Sequence, residues 1–203
     1  MAARGGGRTR FLLVWAVVAI AICMPIAAAA ASPLLAWRQP IYIIAGFAGI
    51  VAMALLLLQP LLAAGLLPGL ALRRARRIHR WIGAMLVALV VLHVAGLWVT
   101  SPPDVIDALT FSSPTPFSAW GVIAMWALFG AAVLAGFRHR LRPRLWRRLH
   151  TGLALIIVAG SVVHALLIDG TMETVSKVAL CALVLVATLK AVAGARAWTI
   201  KRR

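Results

Sequence analysis

The sequence predicts an all-α polytopic membrane protein, a bundle of six transmembrane helices. Three observations predict it. The chain has 203 residues, of which 64% are hydrophobic and 12% charged, a composition far from that of a water-soluble domain. The apolar residues fall into six stretches of about 20 residues, the length that crosses a bilayer core. The basic residues are confined to short segments between alternate stretches, as the positive-inside rule requires. The chain therefore divides into a basic tail over 1–10, a transmembrane domain over 11–195 and a second basic tail over 196–203.

The first span is Phe11–Ala31. Its basic start and Ala-rich end resemble a signal peptide, but the apolar stretch is longer than the usual 7–15 residues of such segments, which favours a retained helix. Span two is Ile41–Leu67, with Pro60 as an expected kink or terminus. Leu67-Pro68-Gly69 breaks the chain before the basic run Arg73–Arg80. Span three is Ile78–Thr100, stopped by Ser101-Pro102-Pro103. The segment Ser101–Ser118 reads as a loop long enough to fold back over the helix ends. Span four is Ala119–Phe137, followed by the basic loop Arg138–Arg148. Span five is Leu149–Ile168, ended by Asp169-Gly170, and span six is Val175–Ala195.

Nineteen of the 21 lysines and arginines lie on one side, in the two tails, in the basic runs after spans two and four, and at Lys190 near the end of span six. Only Arg38 and Lys177 fall on the other side, together with all four acids, Asp104, Asp107, Asp169 and Glu173. This distribution places both termini in the cytoplasm of a bacterial-type inner (plasma) membrane. It also argues against nucleic acid as a partner, despite the formal charge of +17, because the positive charge tracks the membrane rather than one binding face. Trp37, Trp98 and Trp120 mark the outer interface, and Trp15, Trp81, Trp146 and Trp198 lie nearer the inner one. Cys23 and Cys181 both sit in apolar spans, where packing as small hydrophobes is the expected role.

Four of the five histidines form a repeated pattern. Arg76-Arg77-Ile78-His79 is followed by His93, and Arg147-Arg148-Leu149-His150 is followed by His164, with the same interval of fourteen positions between the histidines of each copy. Fourteen helical residues rise about 21 Å and fall about 40° short of four full turns. Each helix therefore carries two histidines on nearly one face, at two depths in a core roughly 30 Å thick. Facing helices would pair His79 with His150 and His93 with His164.

A structural zinc usually needs four protein ligands. The spans hold no Asp or Glu, and spans three and five hold no Cys. Haem iron needs only two axial ligands, and bis-imidazole is a common way to fill them. Gly83, Gly96, Gly152 and Gly160 lie near the histidines and would let a flat ring or another backbone approach. Arg77, Arg80, Arg147 and Arg148 stand beside the inner pair and could neutralise haem propionates. A lone histidine in such a helix can instead bond a neighbouring carbonyl. The glycines can serve ordinary packing, and the arginines are required by topology. The fifth histidine, His139, lies in the arginine-rich loop and reads as solvated.

Two histidine pairs with this spacing, on the third and fifth of six helices, resemble the ferric reductase-like transmembrane domain over about Ile41–Ala195. That superfamily includes the membrane domains of NADPH oxidases and metalloreductases and the haem-binding subunit of the methionine-sulfoxide reductase system. The resemblance implies two stacked b-type haems within a core over 78–168, with His79, His93, His150 and His164 as iron ligands. The oxidases and metalloreductases continue into a domain binding FAD and NADPH. Here the chain ends shortly after span six and shows no nucleotide-binding motif. The expected donor is therefore a separate cytoplasmic flavin reductase or a membrane quinol, and the expected acceptor is periplasmic or extracellular.

No residue reads as a catalytic acid, base or nucleophile. The expected function is membrane electron transfer, as the electron-carrying component of an oxidoreductase. The alternatives are a cytochrome b anchor subunit that exchanges electrons with quinone, or a haem-free transporter or structural membrane subunit. The lack of acids in the spans counts against ion-coupled transport.

Overall fold

The computed structural model describes residues 3–200 and the side chains of residues 7–194. Arg4, Arg196, Trp198, Lys201, Arg202 and Arg203, which the sequence assigns to the basic tails and the aromatic belt, lie outside the described side chains. Seven α-helices follow in order: α1 Ala3–Ala30, α2 Pro40–Ala63, α3 Leu72–Thr100, α4 Pro102–Leu109, α5 Pro116–Gly136, α6 Pro143–Leu167 and α7 Thr174–Ile200. Short 3₁₀ turns cover Pro33–Leu35 and Arg138–Arg140. All but α4 are long and apolar enough to cross a membrane. The described residues contain no strand.

Proline starts four of the helices, at Pro40, Pro102, Pro116 and Pro143. The ring's fixed φ suits the first helical turn, and the missing N–H is one that no helix bonds there. Pro60 lies inside α2, which ends one turn later at Ala63 rather than at Leu67. The turn that follows uses Gly65 and Gly69, both at positive φ, a backbone state that glycine adopts without the Cβ clash.

Two boundaries differ from the sequence expectation. The arginine run Arg73–Arg80 belongs to α3, and most of the basic loop from Pro143 onward belongs to α6. Arginine is a good helix former, so the helices continue past the hydrocarbon and carry their charge with them. The segment 101–118 is not a plain loop. It contains α4, which packs Val105 inward against the ends of α3 and α5 and points Asp104 and Asp107 outward.

Packing is organised as two antiparallel hairpins, α2 with α3 and α5 with α6. Helix α7 lies against α2 and α6 and so joins the hairpins, while α1 packs on α2 and α7. The shared core includes Leu57, Leu62, Leu180, Cys181 and Val184. Cys181 thus packs as a small hydrophobe, whereas Cys23 lies on the exposed face of α1. Large apolar side chains such as Val17, Ile20, Val91, Val133 and Val186 are exposed on the bundle exterior. In water such a surface would aggregate, and in lipid it is the solvated surface. The chain is a multi-pass membrane protein.

The α2–α3 and α5–α6 connections, with the arginines beside them, lie at one end of the bundle, called here the basic face. On the opposite face both cations are individually accounted for. Arg38 lies over the Tyr42 ring, 5.0 Å from its centroid, a favourable cation–π distance. Lys177 is buried, and its Nζ donates to the Ile168 carbonyl at 2.7 Å. That bond ties the first turn of α7 to the end of α6. Trp37, between α1 and α2, has φ 70° and is fully exposed, as an interfacial aromatic would be.

Glu173 caps α7. Its carboxylate accepts from the backbone N–H of Val175 and of Ser176, both at 2.7 Å. These bonds hold its pKa below the ordinary carboxylate value, with the Ser176 amide contributing most. A lowered pKa means that the unfolded chain binds the proton more tightly. The cap therefore stabilises fully above the ordinary carboxylate pKa and is lost as pH falls through the lowered one. We expect Glu173→Gln to lower the thermal midpoint of the detergent-solubilised protein at pH 7, with the difference shrinking to nothing in acid. A gap between the two proteins that stays constant with pH would refute the charged cap.

Candidate functional site

Helices α3 and α6 each carry two histidines, but they do not pack on one another to any extent. Each is pinned to its own hairpin partner. His93 Nδ1 lies 2.7 Å from the Ala45 carbonyl of α2. His164 Nδ1 lies 2.8 Å from the Phe117 carbonyl of α5. His79 Nδ1 lies 3.3 Å from the Gln59 carbonyl of α2, and the Gln59 side chain returns a bond from Nε2 to the His79 carbonyl at 3.3 Å. Only an N–H can satisfy a carbonyl, so in these three rings the proton sits on Nδ1 and the lone pair is left on Nε2.

These bonds bear directly on the alternative that each histidine merely bonds a neighbouring carbonyl. Three of the four do so. The bond uses one nitrogen and fixes the tautomer in which the other can bind a metal, which is the usual arrangement behind a ligating imidazole.

The two hairpins repeat one design. Residue Gly49, one turn after Ala45, faces His93, and a Cβ there would lie 3.1 Å from the ring. Residue Gly121, one turn after Phe117, faces His164, and a Cβ there would lie 2.6 Å from Nδ1. Any side chain at these places would push the imidazole off its carbonyl. The sequence reading missed both glycines. The signal was present: His79 stands as far before His150 as His93 does before His164, and Gly49 precedes Gly121 by that interval plus one position.

The glycines that the sequence singles out divide into two kinds. Gly96 and Gly160 make the hairpin crossings. A Cβ at Gly96 would meet the Ala45 Cβ at 2.7 Å, and one at Gly160 would meet the Trp120 carbonyl at 2.9 Å. Gly152 has nothing within 4 Å of its Cβ position, and Gly83 only the Gln59 Nε2 at 3.6 Å. The first two therefore bring backbones together, Gly83 packs against the Gln59 amide within its own hairpin, and Gly152 faces open space.

The structure brings His79 and His150 together, with ring centroids 6.2 Å apart and planes at 70°. Two metal–nitrogen bonds of about 2 Å each, placed end to end with half a ring beyond each, span about 6 Å. The observed separation fits one metal centre held between these imidazoles. His93 and His164 lie within electrostatic range of each other. Among the described residues no three His, Cys, Asp or Glu side chains converge on one point. Arg77, Arg80, Arg147 and Arg148 are all exposed beside the first pair. His139 is exposed, as expected, and its Nε2 accepts from Arg138 Nε at 3.3 Å.

A family model described as "Ferric reductase like transmembrane component" matches residues 45–161, more than half of the chain. The chain belongs to this ferric reductase-like family. The match begins at Ala45, whose carbonyl holds His93, and stops just short of His164. No curated protein and no solved structure matches the chain. Membership implies a membrane electron-transfer role, and ferric reductase-like transmembrane domains generally bind haem. The residues present fit such a group: four imidazoles, three of them with one nitrogen committed to the scaffold, on two helices that stand apart.

The glycine cradle is testable. Gly121→Ala puts a methyl group where the His164 ring lies, and overpacking of this kind costs about 1–3 kcal/mol. Gly49→Ala, with more room, should cost less. Gly46→Ala, where nothing lies within 4 Å, should be slightly stabilising, because alanine is the better helix former. Thermal denaturation of the three variants should rank them in that order, and a Gly121→Ala protein as stable as Gly46→Ala would refute the cradle.

Proposed function

We propose that this chain carries electrons across a bacterial-type inner membrane through two b-type haems, each held by one histidine of α3 and one of α6. His79 and His150 hold the haem nearer the basic face, and His93 and His164 hold the other. The observation that carries this reading is the repeated imidazole–carbonyl bond at His79, His93 and His164, which leaves Nε2 free on the inner face of each hairpin. When bound, haem supplies a one-electron couple between ferric and ferrous iron.

The chain's own residues bind, orient and enclose. The carbonyls of Ala45 and Phe117 set the tautomer and rotation of two imidazoles, and Gly49 and Gly121 leave room for them. Arg77, Arg80, Arg147 and Arg148 have no hydrogen bond or ion pair within the described residues and are available to haem propionates, which favour arginine. Apolar side chains of α3 and α6 exclude water along the path.

The basic face is the cytoplasmic one, by the positive-inside rule. Electrons enter there from a partner. The cationic ends of α3 and α6 suit an acidic flavin reductase, whose approach such a surface steers. A membrane quinol is the other donor compatible with this entry. Electrons leave at the opposite face to a periplasmic or extracellular acceptor.

Quantitation of haem against protein tests the reading directly. The wild type should hold two low-spin haems per chain. His93→Ala should lose mainly the haem of the far pair, and His150→Ala mainly that of the basic-face pair. A wild type without haem ends the proposal, and a wild type with one haem ends the two-pair assignment.

Orientation has its own test. Reporter fusions after Arg203 and within the segment near Pro114 should report opposite compartments, with the first cytoplasmic. Agreement between the two fusions would overturn the six-span topology.

A further inference from the structure

One histidine departs from the design of the other three. His150 Nδ1 is buried and has no hydrogen-bond partner. Its ring instead stacks on Trp146, one turn earlier in α6, with centroids 5.1 Å apart and planes within 9° of parallel.

The reason is visible in the register of the hairpins. Ala45 and Gln59 on α2 are separated by the same fourteen positions as His79 and His93 on the antiparallel α3. Both histidines of α3 therefore reach carbonyls of α2. On α5 the same interval after Phe117 leads to Ala131, which is buried and has no side-chain amide to tie the hairpin as Gln59 does. The position one turn before the histidine is reversed between the hairpins. On α6 it is Trp146, and on α3 it is Ala75, which is buried. One hairpin thus fixes its basic-face imidazole from across the hairpin, and the other fixes it from the same helix with an indole.

The indole also has a second neighbour. Trp146 lines an open cleft of about 320 Å³ on the basic face, together with Arg138, His139, Leu141 and Pro143. The cleft lies between the 3₁₀ turn Arg138–Arg140 and the start of α6. Trp146 is therefore the side chain shared by the cleft and by His150. Its indole Nε1 is buried and unpartnered. A single stacked π-system spans the distance from a solvent-open, cationic hollow to a half-buried imidazole, and no counterpart exists at Ala75.

We infer that Trp146 is the entry contact of the electron path: it positions the His150 ring by stacking and forms the wall through which an anionic electron donor seated in the Arg138–Trp146 cleft reaches it. This rests on the proposed haem-binding role of His150. The step moves one electron from the reduced donor to ferric iron, with no bond made or broken. Entry is thereby one-sided, through α6 rather than α3.

The test uses purified holoprotein with Trp146→Leu, Trp146→Phe and Arg138→Gln, and dithionite as a small anionic reductant. Low-temperature EPR of the oxidised protein reads the ligand geometry of each haem, and stopped-flow absorbance reads the first phase of reduction. Trp146→Leu should shift or abolish the signal of one haem only and slow that phase about tenfold or more, whereas Trp146→Phe, which keeps an aromatic face, should stay within about threefold of wild type. Arg138→Gln should slow dithionite several-fold without moving either EPR signal. Unchanged spectra and rate in Trp146→Leu would overturn the inference, as would equal damage in the Leu and Phe variants. A shifted signal with an unchanged rate would overturn the entry path, and an Arg138→Gln protein reduced at the wild-type rate would overturn the cleft as the donor's seat. A wild type lacking haem would instead refute the underlying function, so the two failures are distinguishable.

Discussion

The structure depends on the bond between an imidazole N–H and a backbone carbonyl of the neighbouring helix. In a bilayer core no water satisfies a polar group, and a buried donor left unmade costs roughly 1–3 kcal/mol. An imidazole has two nitrogens and therefore two groups to satisfy. The carbonyls of Ala45, Gln59 and Phe117 each take one. The other is then a lone pair aimed away from the hairpin, which a metal can satisfy. The same bond that removes a penalty also selects the tautomer, so local stability and ligand chemistry have one cause. At His93 and His164 the ring's approach to the backbone also relies on Gly49 and Gly121.

The hairpins follow from that constraint. Each histidine helix is held by its own partner, α3 by α2 and α6 by α5, through close crossings at Gly96 and Gly160. The two histidine helices are then free to stand apart, with their imidazoles as the meeting points. Helix α7 bridges the hairpins from behind through Leu180, Cys181 and Val184. At its start Glu173 caps the backbone, and Lys177 holds the end of α6 just beyond His164. The polar groups of that opposite face thus tie α7 to the end of α6, while the basic face keeps its arginines exposed.

The repeat is real but unequal. Both halves place two histidines at the same spacing, yet Gln59 and Ala75 of one half correspond to Ala131 and Trp146 of the other. An exchange of this kind leaves the fold intact, because each half still immobilises its imidazole. It changes what lies next to the ring, a hydrogen-bonding amide in one half and a polarisable indole in the other. Two chemically similar sites can differ in this way without any change in ligand type.

The sequence by itself determined the six spans, because hydropathy and helical periodicity are local properties that lipid enforces residue by residue. It also carried the family resemblance, since the shared spacing of His79 to His93 and of His150 to His164 needs no folding to be read. The ends of α3 and α6 were misjudged, because charge marks where lipid ends and not where a helix ends. The roles of the glycines were decided only by the tertiary structure. Gly96 and Gly152 look alike in sequence, and only the hairpin crossing makes one a backbone contact and the other open space. The carbonyls that anchor the histidines were illegible for a stronger reason. Every residue has a carbonyl, so nothing in the identity of Ala45 or Phe117 marks it as a partner. Only the register between α2 and α3, and between α5 and α6, brings those oxygens to the imidazoles and leaves His150 to Trp146.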